Sequence, residues 1–173
     1  AELIIKAKFP LIITSTSGRN SATVGHLAAL ADDFDIAVVQ PGTQDMNLPS
    51  DHPMHLGYQA GPFLEKADVI VVIDSDIPWI PRTVSPAPGA KVIHIAADPL
   101  YSRYPIRGFQ MDLPIAGSSA VAVPMLHSAL ASLVKDKNQS KHRRAEIEAA
   151  HQKRYDQRET DFTEAAAQTY VHP

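Results

Sequence analysis

The residues best suited to chemistry stand just past short apolar runs. Ser15-Thr16-Ser17-Gly18-Arg19-Asn20-Ser21 follows the run Leu11 to Thr14. A small-residue turn ahead of a helix exposes backbone N–H groups suited to phosphate, and the hydroxyls at 15 to 17 and the Arg19 guanidinium would add donors. The segment is neither G-x-G-x-x-G nor a P-loop with its lysine, so an ordinary capped turn competes with anion binding. Asp74-Ser75-Asp76 closes the run Val69 to Ile73. Its carboxylates could take a cation, a ribose or a sugar hydroxyl; equally, they could cap the next turn and meet Arg82 or another domain. Asp98-Pro99 follows the run Val92 to Ile95. An acidic residue there can accept ribose hydroxyls, while Asp before Pro also starts turns. The candidate cofactor-binding set is therefore Ser15, Thr16, Ser17, Gly18, Arg19, Asp74, Ser75, Asp76 and Asp98. Arg103 and Arg107 follow, and could hold a phosphate or bridge an interface.

Other chemistries find less support. No histidine stands at ligand spacing beside Asp74 and Asp76, so no metal site is expected. His52 and His55 fall in a turn-rich stretch and read as hydrogen-bonded loop residues. A small hydrolase built from Asp74, Asp76 and His52 would lack a nucleophile motif, since no G-x-S-x-G elbow occurs. Zero cysteines remove disulfides, thiolate metal sites and cysteine nucleophiles.

The elements that must position these residues alternate along the chain. Leu11 to Thr14, Ile36 to Val39, Val69 to Ile73 and Val92 to Ile95 are compact and apolar, as strands buried on both faces require; Leu113 to Ala116 is a weaker fifth. Ser21 to Ala31 carries Val24, Leu27, Ala28 and Ala31 at helical spacing, with Ser21 as candidate cap. Ser119 to Val134 repeats the pattern with Val123, Leu126, Leu130 and Leu133. Strand and helix alternating in this way predict a three-layer α/β fold, an open doubly wound parallel sheet with helices on both faces. Thr43 to Pro62 is turn-rich, and Pro78 to Gly89 should be an irregular crossover. The tail from Lys141 to Thr169 is charged and rich in helix formers. Its apolar positions, Ile147, Tyr155 and Phe162, are too few to dock a long helix firmly, which predicts a solvated helix or linker with partners elsewhere, or else disorder in isolation.

Bulk properties narrow the class. The 173 residues, 45% hydrophobic, suffice for one cored domain, and a net charge of −3 argues against a general nucleic-acid binder. No apolar run nears the roughly 20 residues of a bilayer span, no membrane partner is expected, and a cytoplasmic location fits the absence of cysteine. Ala1 in place of Met suits either a processed protein or a piece of a longer one.

In order, "SGRNS", "DIAVVQ", "LPSDHPMHLG", "ADVIVVIDSD", "PGAKVIHIAADP" and "LPIAGSSA" resemble the central domain of thiamine-diphosphate-dependent enzymes. Acetolactate synthase, benzoylformate decarboxylase and pyruvate decarboxylase are members. The resemblance runs from about Pro10 to Val134, and the loop Leu48 to Gly57, similar to the family's "IPEDHPLYLG", is its most specific piece. It implies a Rossmann-like parallel sheet of about six strands, with a central domain at 1–135 and a charged helical linker at 136–173 toward a missing C-terminal cofactor-binding domain. It also implies a parent lyase or transferase acting on 2-keto acids, with thiamine diphosphate and Mg2+ held by other domains and the carbanion chemistry supplied by the cofactor. The parent is expected to be a homo-oligomer, and the isolated chain to catalyse nothing.

Acetolactate synthases also hold FAD in this domain, and the residues here depart from that pattern. The family's first aspartate in "IDIDP" is Ala96, its "GD" is Gly117-Ser118, its "GARFDDR" stretch is "IDSDIPW", and its glycine-rich turn is Ser15-Thr16-Ser17-Gly18. Each change removes a donor, an acceptor or a wall. This weighs against FAD and leaves a vestigial crevice, or one suited to ADP or coenzyme A. The competing class is a free-standing nucleotide-binding module for FAD, ADP or coenzyme A. Trp79 and Phe109 are expected to be exposed where neighbours would normally cover them.

Overall fold

A computed structural model describes residues 1–105, 108–134 and 141–167. The elements in order are α1 (Glu2–Lys6), β1 (Pro10–Thr14), α2 (Ser21–Asp33), β2 (Ala37–Val39), α3 (Gly61–Leu64), β3 (Val69–Ile73), β4 (Lys91–Ala96), β5 (Leu113–Ala116), α4 (Ser119–Leu133) and α5 (Lys141–Ala166), with a 3-10 turn at Ser17–Arg19. Arg107, the expected domain boundary and the ends of the expected linker lie outside the described residues.

The five strands form one parallel sheet in the order β2-β1-β3-β4-β5. Every residue of β1 and β3 is buried. Side chains alternate between faces along a strand, so both faces of the sheet are covered. On one face α2 and α4 lie side by side, with α1 against α4. Leu48, Met54, Leu64 and Trp79 join the same core from the loops and α3. The sixth strand position is filled by a fragment. The Val38 N–H donates to Met54 O, the Leu56 N–H to Val38 O and the Gln40 N–H to Gly57 O, laying residues 54–57 parallel to β2. From β1 the chain therefore works outward through β2 to 54–57, then crosses to β3 on the other side of β1. The reversal places a topological switch point between the carboxyl ends of β1 and β3.

Some elements differ from the sequence expectation. The cap of α2 is Asn20, whose side chain accepts from the Ala22 N–H, rather than Ser21. Trp79 is buried, in edge-to-face contact with the half-buried Phe109 at 5.3 Å, and Ile77, Ile80, Leu100 and Tyr104 are the exposed apolar residues of that region. The irregular run after Trp79 is as expected. Among the described residues, no helix is long and apolar enough to cross a membrane.

The larger difference is α5. Its first half docks on the body, and arginines do most of the work that apolar residues were too sparse to do. Arg143 donates from Nε to Asp35 O (2.7 Å), from Nη2 to Phe34 O (2.7 Å) and from Nη1 to Ala7 O (3.0 Å). Arg144 donates to Asp32 O and pairs with the carboxylates of Asp32 and Asp35. The last carbonyls of a helix lack partners within it, and its C-terminus carries partial negative charge. Two guanidiniums from α5 answer both demands at the end of α2. Ile147 then inserts as the buried apolar contact, and Glu146 pairs with Lys66.

Candidate functional site

Thr14 and Ile73 are partners in the sheet, so the segments that leave β1 and β3 emerge together at the switch point. Ser15, Thr16, Ser17, Gly18, Asp74 and Ser75 stand there. Their polar groups are engaged, with one another or with Pro41, Thr14 and Asn47. The Thr16 N–H and hydroxyl both donate to Asp74 O, at 3.1 and 2.9 Å. Ser15 Oγ donates to Pro41 O (2.7 Å), so its contact with Ser75 Oγ (2.8 Å) has Ser75 as donor. Thr14 Oγ1 donates to Ser17 Oγ, which donates to Asn47 Oδ1.

Asn47 organises the turn from the opposite side, and sequence reasoning missed it. Its Oδ1 accepts from the Gly18 N–H at 2.8 Å, and its Nδ2 lies within 3.1 Å of Ser15 O, Gln40 Oε1, Thr43 Oγ1 and Asp45 O. Gln40 in turn donates to Leu48 O and accepts from the Asn47 N–H. Both amides are buried, where unmet polar groups would be costly. A usable signal was Gln40 itself, a polar residue directly after a buried strand at the carboxyl edge. Gly18 is explained by the same loop: a Cβ there would stand 1.9 Å from Met46 O. The glycine admits the chain's own backbone, and its N–H is already engaged.

Charge in the crevice is mostly negative. Asp74 sits at φ 45°, a left-handed conformation that Asp tolerates better than most side chains. Burial pushes its carboxyl above the usual range, against a Ser119 hydrogen bond and the more distant Arg19. Arg19 is exposed and lies 3.9 Å from Asp45. Asp76 faces Tyr104, whose hydroxyl approaches its Oδ2 at 3.4 Å. Asp98 stays in its own turn, accepting from the Ser102 N–H and hydroxyl at 3.0 Å each. His52 and His55 lie beyond β2, on the far side of β1 from Asp74. The sheet therefore separates the residues that the hydrolase interpretation would combine.

Residues 1–126 match the family described as thiamine pyrophosphate enzyme, central domain. No curated protein matches the sequence. Among solved structures, a thiamin diphosphate-dependent enzyme from Mycobacterium smegmatis superposes with a TM-score of 0.60 at 20% identity, over 74% of this chain and 26% of that one. The thiamine diphosphate-dependent 4-hydroxybenzoylformate decarboxylase of Rhodococcus jostii RHA1 does so with a TM-score of 0.59 at 20% identity, over 73% and 25%. The benzoylformate decarboxylase of Polynucleobacter necessarius gives the same four values. At this identity the likeness is one of fold, and the chain spans about a quarter of the length of these structures.

Proposed function

The chain belongs to the central-domain family of thiamine pyrophosphate enzymes, and from that premise we propose that it is the structural middle domain of a cytoplasmic, acetolactate synthase-like lyase or transferase acting on 2-keto acids. In the oligomeric parent it spaces two cofactor-holding domains and catalyses nothing by itself. The observation that carries this is the crevice at the switch point, the place where such sheets usually take a ligand. Here the Thr16, Ser17 and Gly18 donors are engaged with Asp74 and Asn47, so the crevice serves as a knot tying β1, β3 and the loop after β2. The residues present do not fit a magnesium diphosphate. The Gly18 amide is engaged, and no group of three or more His, Asp or Glu side chains gathers into a metal-binding cluster among the described residues. The assignment of thiamine diphosphate and Mg2+ to the flanking domains of the parent rests on the family.

The test is the thermal midpoint of the purified chain with and without FAD, ADP, NAD and coenzyme A. A ligand at about 100 times its dissociation constant stabilises by roughly 2.7 kcal/mol, an easily read shift. The expected result is no shift with any of the four, and no turnover of a 2-keto acid when thiamine diphosphate and Mg2+ are added. A saturable shift with one nucleotide would replace the structural knot with a working cofactor site, and turnover would overturn the non-catalytic assignment.

A further inference from the structure

The joint between the sheet edge and the middle of α5 centres on Arg154, whose Nη2 has a histidine nitrogen as its nearest acceptor and the carbonyls of Ser50 and His55 farther off, at 3.4 and 3.5 Å. His55, in the fragment beside β2, is fully buried. Arg154 Nη2 lies 2.8 Å from its Nδ1. A guanidinium only donates, so Nδ1 accepts and the proton of the neutral ring sits on Nε2. His151 Nδ1 lies 2.8 Å from His55 O and, facing a carbonyl, is the donor. The Arg154 side chain crosses Gly57, where a Cβ would stand 2.9 Å from its Cδ, and φ is +96°. His55 Nε2 and Arg154 Nε are both buried without a hydrogen-bond partner among the described residues. The joint is thus polar, buried and sparsely satisfied.

We propose that His55 and Arg154 form an acid-released latch: a proton taken up by His55 expels the Arg154 guanidinium and frees the second half of α5 from the sheet edge, while Arg143 and Arg144 keep the first turns attached. The proton can enter only at Nδ1, because Nε2 already carries one. There it replaces the acceptor with a donor and sets two cations where a hydrogen bond had been. The groups around His55 offer no relief. From the loop it meets His52 and, edge-to-face at 5.3 Å, Tyr58. From α5 it meets His151 and Arg154, with Tyr155 and Arg158 beside the latter. Asp32 and Asp51 act on His52, which also feels Arg144. Burial first, then Arg154, His151 and His52, push His55 down to about 4.

The direction follows from linkage. The latched form holds its proton more weakly than an exposed histidine at about 6.5. The latch is therefore fully closed above that value and weakens as the pH falls from about 6.5 to about 4. Over that window the closed-to-open ratio drops about tenfold for each pH unit by which opening relieves the lowering.

The chain has no cysteine, so spin labels on Gln59→Cys and Glu159→Cys attach only at those two exposed positions. Their separation should lengthen between pH 6.5 and 4 while emission from the buried Trp79 stays native. In His55→Asn, which offers Arg154 an acceptor that cannot be protonated, the separation should stay short throughout. A short distance in the parent protein down to pH 4 with native Trp79 emission would overturn the latch, as would equal lengthening in His55→Asn. If that variant does not fold, the His55 ring titration read by NMR in the unsubstituted protein decides. Its midpoint must coincide with the distance change, and a separate midpoint rules the latch out.

Discussion

Asp74 holds its carboxyl where burial opposes the charge, on a backbone at φ 45°. An acid whose folded pKa is raised binds its proton more tightly in the native state, so its cost is absent below about pH 3.9 and grows as the pH rises through the folded value. Asp74→Asn keeps an acceptor for Ser119, suits the left-handed backbone and removes the charge. The expected outcome at pH 7 is a thermal midpoint raised by about 2–4 °C for each kcal/mol gained, with the gain vanishing as the pH is lowered toward 3.5. A lower midpoint at pH 7 would mean that the ionised carboxylate is structurally required. At this scale the sequence was half legible. The candidate residues were placed at the carboxyl ends of strands, but that those of β1 and β3 come together follows from the strand order, which the sequence did not supply. Asn47 was not legible, because its role depends on a loop folding back 30 residues along the chain onto Ser17. Asp98 was read as open to a ligand or to its own turn, and the turn holds it.

Among the elements, the strands were the most readable, since continuous apolar runs leave a parallel sheet few alternatives. The tail helix was the least. Its anchors are guanidiniums aimed at helix-end carbonyls, and a hydrophobic pattern contains no trace of such contacts. The pair Arg143-Arg144 at the start of a helix was the available hint. Arg143→Met removes three charge-assisted bonds and strands the carbonyls of Ala7, Phe34 and Asp35. Bonds of this kind are worth about 1.5–3 kcal/mol each but are not additive, so a loss of about 2–4 kcal/mol is expected. Hydrogen exchange should show it as lost amide protection from residue 145 onward, along with the end of α2. Arg144→Met should cost less, because two of its three carboxylate partners, Asp32 and Glu148, are exposed, where ion pairs contribute little, and only Asp35 is buried. Equal effects from the two substitutions would contradict the carbonyl-capping account.

At the scale of the whole molecule, the two edges of the sheet are unlike. Beyond β2, residues 54–57 complete the sixth strand position and α5 closes over them, with Met54, His55 and Leu56 all buried. At the other end all four residues of β5 are exposed. The family resemblance supplied the count of about six strands, but only the folded chain shows that the last of them is a fragment held by its neighbours. The asymmetry has a geometric consequence for how copies of the chain can meet. A fibre grows by edge pairing only if each subunit offers two open edges, one to receive and one to give. With a single open edge among the described residues, strand-to-strand association is self-limiting: two β5 strands pair across a two-fold axis and nothing remains to recruit a third. Sedimentation at rising concentration should accordingly show monomer and dimer with no larger species. A progressive ladder of sizes would mean that the β2 edge opens. Loss of the α5 contacts would then turn a closed pair into a polymerising unit.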